Sequence, residues 1–344
     1  MTPRDRTIAI FGAGRMGRGI AQCFAMHGYE VQLVDSKSRP GETFDGLGRK
    51  AIAEIEANLK TMASLDVIQE PSVAAALQSI KIVPLTHAQD ALSHASFVWE
   101  AVPEHLDAKA EALSLISTLA REDAVLASTT STILPSELEG WVQAPDRFVN
   151  AHFLNPAFLM PLVEVNTGTR TSDVTRRRLL AVLESVGKIA VNGYVLARLQ
   201  TLLLSEAARM VHEGAASAGD IDTAIKAGMA LRFAAIGPIE FIDFGGLDVA
   251  YHACHHASKI LNSPRHAPPA GLDEMMAAGK LGIKSGSGYF DWRGVDIDQY
   301  HADRLKRLVG LCRALSYLPA NPAANPPKTA AATPASQETP TPRR

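Results

Sequence analysis

Two residues with the types needed for proton transfer sit twelve positions apart in otherwise strand-like sequence. His152 opens His152-Phe-Leu-Asn155-Pro156, and Glu164 sits in Leu162-Val-Glu-Val165. A histidine can take the proton of an alcohol while hydride leaves the same carbon. A carboxylate on its far nitrogen would fix the tautomer and steady the imidazolium. A lone histidine is ordinarily a satisfied structural side chain, and Glu164 could equally be a solvated strand residue, so the residues alone leave both readings open. Hydroxyls cluster at Ser128-Thr-Thr-Ser131-Thr132, after a predicted strand. In an open α/β sheet, ligands bind beyond the carboxyl ends of strands.

A second motif supplies somewhere for the hydride to go. Gly12-Ala13-Gly14-Arg15-Met16-Gly17 is a GxGxxG directly after a predicted strand and at the start of a predicted helix. The glycines allow a tight turn and close approach of backbone to a pyrophosphate, which then sits on the unpaired amides of the helix N-terminus. Asp35 follows Gly17 by 18 residues, at the end of the second predicted strand. A carboxylate there accepts hydrogen bonds from both adenosine ribose hydroxyls and repels a 2′-phosphate, which favours NAD over NADP. Lys37 and Arg39 follow closely and would soften that preference.

The elements that must position these residues alternate. Strands are predicted at Thr7–Phe11, Glu30–Val34, Ile80–Val83, Phe97–Val102, Ala124–Ser128, Phe148–Phe153, Leu162–Asn166 and Ile189–Val191. Helices are predicted at Met16–His27, Phe44–Ala63, Leu106–Leu119 and Asp173–Val186. Such alternation implies an α/β fold, a mostly parallel sheet with helices on both faces. Past Gly193 the signals turn helical, with Leu196–His212, a Ser217 N-cap and Gly237-Pro238 opening a helix at Ile239–Phe244. The expected division is a dinucleotide-binding domain over 1–193, an all-helical domain over 194–318 and a disordered Pro/Ala/Thr-rich tail over 319–344. The apolar content of the helical part exceeds the needs of one small bundle, so a dimer interface is expected there.

Composition excludes other classes. The 344 residues carry a formal net charge of −2, without the basic excess a nucleic-acid binder needs. Three scattered cysteines (Cys23, Cys254, Cys312) argue against a disulfide or zinc scaffold and fit a reducing compartment. Neither a signal-peptide core nor a membrane span is evident, so a soluble cytoplasmic protein is expected. His252, His255 and His256 share a predicted helix face, but without further ligands a metal is not expected. Cys23 reads as core.

With these residues in view, the sequence resembles the L-3-hydroxyacyl-CoA dehydrogenases, including 3-hydroxybutyryl-CoA dehydrogenases and divergent hydroxy-acid dehydrogenase relatives. The likeness runs over nearly the whole chain except the tail. It rests on Gly12–Ala21, Glu100-Ala-Val-Pro-Glu104 with Lys109, Ala127–Ser131, His152–Pro156, Val163-Glu-Val165, Gly237-Pro238 and Gly282–Phe290. The resemblance implies a Rossmann-type, doubly wound domain followed by a helical domain that makes a homodimer. It implies NAD-dependent oxidation of the 3-hydroxyl of a 3-hydroxyacyl-CoA, a small-molecule substrate of fatty acid metabolism. His152 is then the general base and Glu164 orients it. Ser131 contacts the substrate oxygen near the nicotinamide, and Asn155 holds the site geometry. Gly12, Ala13, Gly14, Met16, Gly17 and Asp35 hold the cofactor's adenosine and pyrophosphate, and Glu104 and Lys109 lie along its nicotinamide side.

Three departures stand out. The family's Ser-Asn-Thr-Ser reads Ser128-Thr129-Thr130-Ser131 here. Its Val-x-Asn-Arg reads Val195-Leu-Ala197-Arg198, losing an amide that binds substrate near the reacting oxygen. Few cations mark a coenzyme A site: after the second strand only Arg49, Lys50 and Lys60 are obvious, and these suit a solvated helix face. Two alternatives therefore stand beside the CoA-ester reading: the same chemistry on a free, gulonate-like hydroxy acid, or an NAD-binding module with impaired catalysis.

Overall fold

The structure is a computed structural model and describes residues 6–318. The Pro/Ala/Thr-rich tail lies outside the described residues. The chain divides into two compact units, with the boundary between Ser205 and Glu206.

In the first unit, eight strands form one sheet: β1 (Thr7–Phe11), β2 (Glu30–Val34), β3 (Ile80–Val83), β4 (Phe97–Glu100), β5 (Val125–Ser128), β6 (Phe148–Phe153), β7 (Leu162–Thr167) and β8 (Ile189–Asn192). Their order is β3-β2-β1-β4-β5-β6-β7-β8. Every pairing is parallel except β6 with β7. The sheet is the mostly parallel α/β sheet expected from the alternation, with the Rossmann-like reversal of strand order at β1 and β4.

The inner strands are buried on both faces, which is why they read as continuous apolar runs. Alternate residues feed two separate cores. Ile8, Ile10, Phe97, Trp99, Val149 and Phe153 pack on one side against α1 (Arg15–Ala25), α2 (Gly41–Ser64) and α3 (Glu70–Gln78). Ala9, Phe11, Val98, Leu126 and Phe148 pack on the other against α4 (Ala88–Ser93) and α5 (Leu106–Leu119). Cys23 is fully buried in the first core, and burial pushes its thiol up despite the charge and hydrogen bond of Lys188. The short α6 (Pro135–Leu138) follows the hydroxyl cluster, α7 (Asp173–Ser185) joins β7 to β8, and α8 (Val195–His212) spans the boundary between the units.

The apolar pattern extends the fourth strand to Val102, but the strand stops at Glu100. Glu100 Oε1 accepts the Val102 amide at 2.8 Å, which turns the chain out of the ladder, and Pro103 has no amide to continue it. Two short helices, α3 and α4, went unread. Each buries only small residues plus one larger one, Val73 and Leu92 respectively, so neither writes a strong apolar stripe.

The second unit is helical: α9 (Ala218–Ala224), a π-helical turn at Ile225–Ala230, α10 (Leu231–Ala235), α11 (Pro238–Gly245), α12 (Leu247–Ile260), α13 (Ala270–Ala277) and α14 (Ile297–Ala314). Ser217 caps α9 as expected, accepting the Asp220 amide. Its interior carboxylate is Asp243, fully buried, which accepts the Tyr289 and Phe290 amides at 3.0 and 2.9 Å and the Trp292 indole at 2.8 Å. A Cβ on Gly282 or Gly288 would stand 2.2 Å from an Asp243 oxygen, so both glycines are needed to seat this loop.

Candidate active site

The turn after β1 is shaped for a phosphate. Gly12 has φ +122°, and a Cβ there would stand 2.5 Å from the Ala101 carbonyl oxygen. A Cβ on Gly17 would fall 1.9 Å from the Gly12 oxygen, so only glycine lets α1 approach the turn this closely. Gly14 is different. Nothing lies within 4 Å of where its Cβ would be, and it borders open cleft. As N-cap of α1 it has no side chain to satisfy the first amides, and no acidic residue stands in the first turn. That leaves uncapped amides at the positive end of the helix beside an open cradle, which fits a pyrophosphate.

A cleft of about 1090 Å³ runs from this turn to His152, within the first unit. Gly12, Ala13, Gly14, Met16 and Asp35 line one part, and Glu104, Ser131, His152 and Asn155 another. Three sequence-predicted residues do not line it: Gly17, Lys109 and Glu164, the last fully buried against His152. Gly17 serves the close packing just described. Lys109 is fully buried beneath, with its ammonium 3.0 Å from Glu100 Oε1 and 3.1 Å from Glu104 Oε2. Its contact with the cleft is through Glu104.

Glu104 gathers the hydroxyl loop. Its Oε1 accepts from the Thr130 hydroxyl, the Ser131 amide at 3.1 Å and the Thr132 hydroxyl at 3.1 Å. Burial raises its pKa, but the Thr130 bond, the charge and bond of Lys109 and the Thr132 bond outweigh it and hold the carboxyl below its ordinary value. Under this loop Glu100 accepts the Ser128 hydroxyl at 2.5 Å, and Asn150 donates to the Ser128 and Thr130 carbonyls, both at 3.0 Å. Sequence reasoning missed Glu100, Asn150 and Thr130 as supports. For Glu100 and Asn150 the signal was present, since polar residues inside strands otherwise buried on both faces need buried partners; Thr130 lies past the end of β5 and carries no such signal.

His152 and Glu164 meet because β6 and β7 pair antiparallel, with these two residues directly opposite each other. Such partners share a face with their Cβ atoms in contact range. His152 Nδ1 lies 2.9 Å from Glu164 Oε2. Glu164 is fully buried, while the His152 side chain is 14% exposed and lines the cleft. The other Glu164 oxygen accepts the Leu196 amide at 2.5 Å, in the first turn of α8. With Nδ1–H donated to the carboxylate, Nε2 is the nitrogen left to take a proton.

Just before α8, Tyr194 donates to the Ile133 carbonyl at 2.9 Å, and its ring centroid lies 6.4 Å from that of His152. Burial first, then the charges of Glu104 and Glu164, push its phenol well up, so it stays a donor. The Ser131 hydroxyl and Asn155 amide have no hydrogen-bond partner among the described residues, and both line the cleft. So do Ala197, Gln200, Thr201 and Leu204, one face of α8.

Comparison with known proteins settles the class. Residues 7–193 match the 3-hydroxyacyl-CoA dehydrogenase NAD binding domain, and residues 193–292 match the C-terminal domain of the same family. The chain belongs to the 3-hydroxyacyl-CoA dehydrogenase family. NAD is the cofactor, and the activity is that of an oxidoreductase on secondary alcohols. Among relatives of this dehydrogenase, the 5-formyl-3-hydroxy-2-methylpyridine 4-carboxylate 5-dehydrogenase of Mesorhizobium japonicum is 31% identical over 319 residues, 90% of this chain and 98% of that enzyme. A probable 3-hydroxybutyryl-CoA dehydrogenase of Bacillus subtilis is 32% identical over 83% of this chain and 97% of its own length. The crystal structure of a 3-hydroxyacyl-CoA dehydrogenase from Archaeoglobus fulgidus superposes with a TM-score of 0.71 at 30% identity, covering 90% of this chain and 99% of that one.

No helix among the described residues is long and apolar enough to cross a membrane. No group of three or more His, Cys, Asp or Glu among them is placed to hold a metal. On α12, His252 and His255 pack edge-on against Tyr251 instead, at 5.5 and 4.5 Å.

Proposed function

We propose that this dehydrogenase oxidises the 3-hydroxyl of a 3-hydroxyacyl-CoA, such as 3-hydroxybutyryl-CoA, to the 3-keto form. The observation that carries this is the cross-strand His152–Glu164 pair opening onto the same cleft as the phosphate cradle. His152 Nε2 takes the hydroxyl proton as general base, and Glu164 holds the ring in the competent tautomer and stabilises the imidazolium. Bound NAD supplies the hydride acceptor. The free hydroxyl of Ser131 and amide of Asn155 are suited to donate to the oxygen that becomes the ketone. Gly12, Ala13, Gly14, Met16 and Asp35 hold the cofactor's adenosine and pyrophosphate end. Glu104 serves its nicotinamide side, and buried Lys109 acts there through Glu104. The second unit leaves Phe244, Val249, Ile260, Leu261 and Leu305 exposed, apolar surface suited to a second copy in a cytoplasmic homodimer.

A second reading has its own observation. Ala197 lines the cleft with only a methyl group, and the Mesorhizobium relative is named for a pyridine carboxylate rather than a CoA ester. On that reading the same chemistry serves a free hydroxy acid. NADH oxidation by acetoacetyl-CoA, set against NAD reduction by gulonate and by pyridine-derived alcohols, decides between them. A higher kcat/KM for a substrate lacking CoA overturns the CoA assignment.

A further inference from the structure

At the adenosine end of the cleft, the carboxylate that should greet a ribose is already engaged on both oxygens. Asp35 Oδ1 accepts the Lys37 amide at 3.2 Å, and Oδ2 pairs with Arg39 Nε at 2.6 Å. The Asp35 side chain is 4% exposed and that of Arg39 is 29% exposed. Asp35, Ser36, Lys37 and Arg39 all line the cleft. Arg39 spends only Nε on this pair, so its two terminal nitrogens have no partner among the described residues. The Lys37 ammonium and the Ser36 hydroxyl have none either. The corner therefore holds one carboxylate against two cations, with a hydroxyl and most of a guanidinium fork unused.

A ribose with two free hydroxyls is served by a carboxylate alone, whereas a phosphate monoester presents anionic acceptors to these donors. It brings about −1.5 to −2 charge at pH 7 and three acceptor oxygens. Asp35 alone would repel it. Arg39 neutralises that repulsion by pairing with Asp35 and offers a fork that matches phosphate geometry. An arginine near this carboxylate is the general device by which a dinucleotide fold takes a 2′-phosphate.

We propose that Ser36, Lys37 and Arg39 form a subsite for the 2′-phosphate, so that this dehydrogenase binds NADP as well as NAD, with Arg39 setting the ratio. The test is calorimetric and needs no turnover. Adenosine 5′-monophosphate, adenosine 2′,5′-bisphosphate and adenosine 3′,5′-bisphosphate are titrated into the full chain and into Arg39→Gln, Arg39→Lys and Asp35→Asn variants. The subsite predicts that the 2′,5′-bisphosphate binds the unaltered chain at least as tightly as the monophosphate. Arg39→Gln should shift that ratio against the bisphosphate by about tenfold or more, the scale of one charge-assisted contact. Arg39→Lys should fall between the two, and Asp35→Asn should shift the ratio the other way. Failure of the unaltered chain to bind the 2′,5′-bisphosphate overturns the proposal. So does an unchanged ratio in Arg39→Gln. Equal or tighter binding of the 3′,5′-bisphosphate also overturns it, since that pattern belongs to the adenosine of a coenzyme A. Monophosphate binding reports separately that the NAD cleft is intact.

Discussion

Replacing Glu164 with glutamine changes one atom and sets two demands against each other. The carboxylate serves two donors, His152 Nδ1–H at 2.9 Å and the Leu196 amide at 2.5 Å. Glutamine brings one carbonyl oxygen and one NH2, so one of the two must face a donor. If the oxygen goes to Leu196, the NH2 donates to Nδ1, the ring proton moves to Nε2, and the base is gone. If the oxygen goes to His152, the tautomer survives. The amide opening α8, on half-buried Leu196, then faces an NH2 in place of its acceptor, at about 1 kcal/mol or more, and the imidazolium loses its counter-charge. General-base catalysis is worth about 10²–10⁴ in rate, so kcat should fall by about that factor, or about 2.7–5.4 kcal/mol in barrier. NADH formation from 3-hydroxybutyryl-CoA measures the rate, and thermal denaturation measures the stability loss. A folded Glu164→Gln protein with kcat within about threefold of the parent would refute the reasoning, because a positioned base cannot be worth so little.

Three more outcomes follow from the geometry. Ala197→Asn restores an amide to the cleft face of α8 and should raise kcat/KM for acetoacetyl-CoA by about 10², the worth of one preorganised donor; steady-state kinetics checks it. Asp243→Asn leaves at least one of its three donors facing an NH2 on a fully buried side chain, so the second unit should lose about 1–3 kcal/mol, read as a lower urea midpoint. The lowered pKa of Glu104 means its stabilising contribution is fully present above the unfolded glutamate pKa of about 4.3 and is lost as pH falls through the lower folded value. The gap in urea midpoint between the parent and Glu104→Gln should therefore be constant near neutral pH and close in acid.

Much of this site was legible because the sheet and the phosphate turn are local. Continuous apolar runs marked the strands of the buried sheet, and β1, β2, β3 and β6 have the limits read from sequence. Gly12 and Gly17 sit where only glycine fits. The His152–Glu164 pair was chosen by type and spacing, yet what joins it is a register that sequence reading did not use. The Leu154–Pro161 connection is eight residues, too short for a crossover helix, so the two strands must be antiparallel. A hairpin with Phe153 opposite Val163 then puts residue 152 opposite 164. Lys109 was assigned to the cofactor side but lies beneath the cleft, because its partners are the carboxylates of Glu100 and Glu104. Those non-local polar contacts are set by tertiary packing and leave no periodicity to read.

The reaction depends most directly on the proton acceptor. Substituting His152 with alanine and following two quantities in the same preparation tests it: NAD affinity by calorimetry and turnover by NADH fluorescence. NAD affinity within a few-fold of the parent, with turnover lowered by about 10²–10⁴, is the predicted result. Near-parental turnover would show that another group takes the proton.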